Sequence, residues 1–169
     1  MVKVQIRVGD VFIVPTGDGR AAVGQVLGIY GMSDYYFAIF DAVFPLENAA
    51  ESAIGALRLP LLFLGLSLDA KIYFGDWPVV AHAEVDPSIL LPAYKVSMGT
   101  IDNIHVIDYT GTWSRPATEA EVDFLEFRST VSPVRFERAL RASLCLEPWL
   151  ELFDKLKPNE LATTAALFD

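Results

Sequence analysis

The chain of 169 residues carries 13 basic and 22 acidic side chains, a net charge of −9, with 53% hydrophobic and 21% charged residues. That composition excludes a disordered chain and predicts one domain across 1–169, with a core that buries about two-thirds of its surface. The charge excludes phosphate-driven binding of nucleic acid and attachment to anionic membrane surfaces, and it favours a basic protein partner.

The negative charge is uneven. Residues 1–20 sum to +1, residues 21–114 to −7 and residues 115–169 to −3. Between 21 and 114 only Arg58, Lys71 and Lys95 oppose ten acids, so an acidic face is expected there. The single cysteine, Cys145, excludes an intramolecular disulfide and suits a reducing compartment. The start MVKVQIRVGD has no apolar signal core, and the longest very apolar run, residues 59–68, is about half a membrane span. A soluble cytoplasmic protein is expected.

In chain order, residues 11–14 form a short apolar run ended by Pro15, and Thr16-Gly17-Asp18-Gly19 is turn chemistry. Residues 20–30 resume as a second strand, with Gly24 and Gly28 marking bends or close approaches. Residues 34–44 predict an aromatic-rich third strand that stops before Pro45. Tyr35, Tyr36 and Phe37 cannot all point to one side of it, so one of them is exposed or covered by a helix. Residues 47–57 are the first helical candidate, and 59–74 return to β-type sequence with a break near Gly65. Three more strands are expected at 79–85, 93–98 and 104–109.

The period then changes. Thr118-Glu119-Ala120-Glu121 has the spacing of a capping box. Ser132 caps the next helix and Pro133 opens it, with Phe136, Ala139, Leu140, Ser143 and Leu144 on helical spacing. Residues 147–157 predict a third short helix, stopped by Pro158. Strands over 9–110 followed by helices over 118–157 predict an α+β fold. Its expected form is a curled antiparallel β-sheet or SH3-like barrel core in the first two-thirds, with two to three C-terminal helices packed on it.

Few residues offer chemistry. His82, Glu84 and Asp86 would share one face of a strand, where they read first as a solvated edge and second as a metal or acid–base cluster. His105, with Asp102 and Asp108 nearby in sequence, reads as a half-exposed strand histidine. Cys145 sits between Leu144 and Leu146, where a core thiol is expected. There is no nucleophile elbow and no phosphate-binding glycine loop. Trp77 and Trp113 both lie in Gly/Pro-rich stretches, and each either plugs the end of the sheet or presents a binding anchor.

Several blocks carry a resemblance. Gly9-Asp10-Val11-Phe12-Ile13-Val14-Pro15 with the following segment 17–27, Phe74-Gly75-Asp76-Trp77-Pro78-Val79, Arg115 through Glu121 and Ser132 through Leu140 come in one order along most of the chain. In that combination the sequence resembles the immunity protein 26 family. The resemblance implies a bacterial protein that binds and neutralises a cognate polymorphic toxin, with no catalytic residue, metal or cofactor. The same opening recurs in SH3-like barrels of PemK-type toxins, which keeps a PemK-like ribonuclease as one rival. A small metal-dependent hydrolase built on His82, Glu84 and Asp86 is another. For the leading reading, the candidate partner-binding residues are Asp34, Asp41, Asp76, Glu84, Asp86, Asp102 and Asp108, with Trp77 or Trp113 as an anchor. The expected partner is a basic cognate toxin domain, with no nucleic acid and no membrane.

Overall fold

In the computed structural model of the chain, which describes residues 5–168, the expected first three strands are all present. They are β1 (Asp10–Pro15), β2 (Arg20–Tyr30) and β3 (Asp34–Pro45). β4 (Leu61–Ser67) and β5 (Val79–His82) complete an antiparallel five-stranded sheet of order β4-β3-β2-β1-β5. Four register shifts interrupt three of its four strand pairings, and such irregularities raise the local twist. Gly24 sits at one such shift, where a Cβ would run into the Phe12 ring and meet the Ala38 carbonyl oxygen at 2.8 Å.

The sheet does not close into a barrel. Among the described residues β4 and β5 are its two edges and do not pair with each other. It is instead buried on both faces. On one side Phe12, Val14, Val26, Phe37, Ile39 and Phe63 pack beneath α4 (Pro133–Ser143) and the 3₁₀ turn Glu151–Leu156. On the other, Val11, Val23, Leu27, Tyr36, Ala38 and Phe40 meet Ala53 and Ala56 of α1 (Ala49–Ala56) and the partly buried Val85, Ile89 and Leu91. Phe37 and Tyr36 therefore serve opposite cores, and Tyr35 is half-buried against the first.

A second antiparallel sheet joins β6 (Tyr94–Ser97), β7 (Ile104–Ile107) and β8 (Ser114–Pro116) in sequential order. α3 (Glu119–Phe124) starts with the expected capping box, and α5 (Thr164–Phe168) packs with it around Ala93, Val106 and Leu125. The fold is α+β. Among the described residues, no helix is long and apolar enough to cross a membrane.

Several expectations need correction. β4 runs through Gly65 without a break, because Gly65 is where Leu156 and Phe136 approach the strand closely. The 59–74 stretch does not stay extended: a short helix, α2 (Ala70–Tyr73), follows β4. β8 was not legible, and the segment 147–157 forms a 3₁₀ turn in place of an α-helix.

Cys145 is exposed and has φ 59°, in the left-handed region. It is the second residue past the end of α4, just beyond the cap residue Leu144: its N–H donates to the Ala142 carbonyl, and the Leu146 N–H reaches back to Arg141. That is the position glycine favours at a helix terminus. Cys145→Gly is expected to raise stability by about 1 kcal/mol, measured by urea denaturation.

Candidate protein-binding surface

Asp108 follows the last residue of β7 and is 3% exposed. Its Oδ1 accepts from the backbone N–H groups of Thr112 and Trp113, both at 2.9 Å. Its Oδ2 accepts from the Thr110 hydroxyl at 2.6 Å and the Thr110 N–H at 3.3 Å. Burial pulls this carboxyl's pKa up, but those hydrogen bonds outweigh burial and hold it below the ordinary value. The charged carboxylate thus organises the whole turn between β7 and β8.

Trp113 stands at the end of that turn and is 69% exposed. Its backbone is fixed by Asp108, while its indole is left to solvent. The Tyr36 hydroxyl donates to the Tyr109 carbonyl at 2.6 Å, and the Tyr109 N–H donates to the Thr164 hydroxyl oxygen at 2.9 Å. These bonds tie the turn to the main sheet and to α5. Gly111, with φ 77°, lies so close to Tyr30 that a Cβ would meet its hydroxyl oxygen at 2.5 Å.

Through Tyr30 the β7–β8 turn meets the β2–β3 turn. Arg128 stacks over the Tyr30 ring at 4.8 Å, and Asp34, opposite Tyr30 in the ladder, accepts from the Thr130 hydroxyl at 2.7 Å. Met32 at the tip of the β2–β3 turn is 97% exposed. A thioether and an indole, both denied a core, are thus presented by two turns that touch. Neither Met32 nor Arg128 is among the residues expected from sequence. The available signal for Met32 was an apolar side chain between Gly31 and Ser33, in a turn that offers it nothing to pack against.

Other sequence candidates fall elsewhere. Trp77 is not a surface anchor: it is fully buried, stacked on Phe12 at 5.4 Å and 3°, with its Nε1–H donating to Glu137 at 2.9 Å. Asp108 is likewise a turn-organising residue and not a contact, because its oxygens are occupied and buried. Asp41 is exposed on β3, Asp102 is exposed in the β6–β7 hairpin, and Asp76 pairs with Lys71 at 3.0 Å. Glu84 and Asp86 are exposed beyond β5, where Asp86 accepts from the Ser88 N–H at 2.9 Å. The acids thus lie on several elements: Asp41 on β3, Asp76 before β5, Glu84 and Asp86 after it and Asp102 in the β6–β7 hairpin.

β5 ends at His82, so the alternation that would align His82, Glu84 and Asp86 stops there. His82 turns to Asp10 instead, Nδ1 to Oδ1 at 2.9 Å, and the Arg7 N–H donates to the other oxygen of Asp10 at 2.9 Å. Among the described residues no three His, Cys, Asp or Glu side chains are grouped to hold a metal. His105 is half-buried, and its Nδ1 has no partner among the described residues, neither Asp102 nor Asp108.

A groove of about 730 Å³ lies between β4 and the second sheet, with Leu61, Leu64, Ile89 and Phe124 in its walls. Both of its lysines are occupied: Lys155 faces Glu126 at 3.5 Å and Lys157 faces Asp154 at 2.9 Å. Glu160, also in its lining, forms no ion pair among the described residues.

No family model, curated protein or solved structure matches this chain. The likeness to the immunity protein 26 family rests on the sequence blocks alone.

Proposed function

We propose that this chain is an immunity-type protein that binds a cognate toxin and neutralises it by occluding its active site or the surface around it. The observation that carries this reading is Trp113, an exposed indole on a turn held by three backbone N–H groups and the Thr110 hydroxyl, all donating to the buried Asp108 carboxylate. Binding energy concentrates in a few aromatic anchors, and a turn ordered beforehand loses little entropy on docking. Net charge adds steering: at −9 the chain attracts a basic toxin, such as a nuclease with a phosphate-binding cleft.

A second reading, a ribonuclease, is favoured by one feature. Asp10 is buried and fixes His82, whose ring is half exposed, with Arg7 at 3.8 Å from the same carboxylate. That is how a base is oriented for proton transfer. The overall charge repels the RNA backbone, which places this reading second.

One preparation tests both. The purified chain is mixed with the toxin domain expected from the neighbouring gene, and separately with RNA. A stable complex with the toxin domain and intact RNA support the immunity reading. RNA cleavage that disappears in His82→Ala overturns it in favour of the enzyme.

A further inference from the structure

We propose that the outer edge of β5 receives an extended basic segment of the protein partner as an added β-strand. The inference rests on the binding role proposed above and concerns a second point of contact, away from Trp113.

The two sheets have four edges, and the chain treats them differently. β4 is covered: the Val131 N–H donates to Leu66 at 2.9 Å, and the Ser67 hydroxyl donates to the Val131 carbonyl at 2.8 Å. β6 is covered by a passing segment, with Lys95 N–H on Glu126 at 2.9 Å and Arg128 N–H on Lys95 at 3.1 Å. β8 has three residues, and its central Arg115 is held by Glu121 and by the Leu167 carbonyl.

β5 has no such cover. Among the described residues its only strand partner is β1, and no backbone hydrogen bond leaves Val79–His82 on the other side. The Ala83 N–H donates to Gly9 and the Pro78 carbonyl accepts from Ile13, both towards β1. Antiparallel alternation then turns the N–H and C=O of His82, opposite Asp10, outwards. Val79 and His82 are exposed. Unpaired groups of this kind are the template for strand addition, in which main-chain bonds hold the incoming segment.

Charge selects the occupant. Exposed acids stand at both ends of the edge, Asp76 before it and Glu84 and Asp86 after it; of the cations near it, Lys71 is bound to Asp76 and Arg7 faces Asp10. An antiparallel second copy would bring Glu84 and Asp86 of one chain towards Asp76 of the other, acid against acid. A segment with lysine or arginine flanking a short extended run has the complementary sign. The edge is four residues long and its pairing with β1 is bulged, so the added strand is short.

The test uses the full chain and a synthetic heptapeptide of alternating lysine and valine with blocked ends. Amide exchange at β5 and a binding titration are measured together. The expected result is slowed exchange at His82 and binding weakened by about tenfold when alternate peptide amides are N-methylated. Glu84→Gln combined with Asp86→Asn should weaken it by about threefold. Equal binding of the N-methylated peptide or of a glutamate–valine counterpart overturns strand addition, as does no binding. Concentration-dependent dimerisation that protects β5 without peptide assigns the edge to a second copy and also overturns the proposal. Toxin neutralisation by a chain that ignores the peptide would remove the edge contact alone and leave the binding role standing.

Discussion

Trp77→Ala is expected to lower stability by about 3–5 kcal/mol, enough to unfold a marginal domain. The side chain is fully buried, stacks on Phe12, meets Phe37 edge-on at 6.0 Å and donates to Glu137 on α4. Removing it opens a cavity between the sheet and α4 and leaves Glu137 without its indole donor. Trp77→Phe should cost less, since the aromatic stack survives and only the hydrogen bond is lost, at about 1–2 kcal/mol. Urea unfolding of both variants measures the difference. A Trp77→Ala protein as stable as the parent would contradict the packing described for the first core.

Trp113→Ala is the opposite case. Its indole is exposed, so stability should change by less than about 0.5 kcal/mol. Affinity for the toxin should fall by about 30-fold, roughly 2 kcal/mol, as expected for a central aromatic anchor. Asp108→Ala should weaken binding as well, but with a loss of stability, because it frees the turn and strips four hydrogen bonds from a buried carboxylate. Calorimetry on the two variants separates an anchor from the residue that positions it. If Trp113→Ala binds as the parent does, the anchor lies elsewhere.

The two tryptophans show where sequence reading succeeds and where it ends. Both stand in turn-rich stretches, and local chemistry assigns neither to the inside or the outside. Their fates depend on α4, which brings Glu137 to Trp77 from 60 residues away and leaves Trp113 uncovered. Local signals did well where the physics is local. The turn at 16–19, the capping box at Thr118 and the Ser132 cap with Pro133 all appear as read.

Burial on both faces was harder to see. β1 and β2 show runs of buried residues without alternation, because α4 covers one side and α1 the other. The same apolar runs suit a closed barrel or an open, doubly covered sheet, and only long-range pairing distinguishes them. The acidic residues were legible as a count between 21 and 114, but their distribution over strands and loops depends on the tertiary fold. Met32 and Arg128 join the candidate surface only because the β2–β3 and β7–β8 turns meet at Tyr30.

Inhibition of a toxin by direct binding is what we propose for this chain. Titrating the purified chain into a fixed amount of the cognate toxin domain, while following toxin activity, tests it most directly. Toxin activity is expected to decline to zero at a fixed stoichiometry, with a higher requirement for Trp113→Ala. Full toxin activity in the presence of excess folded chain would contradict it.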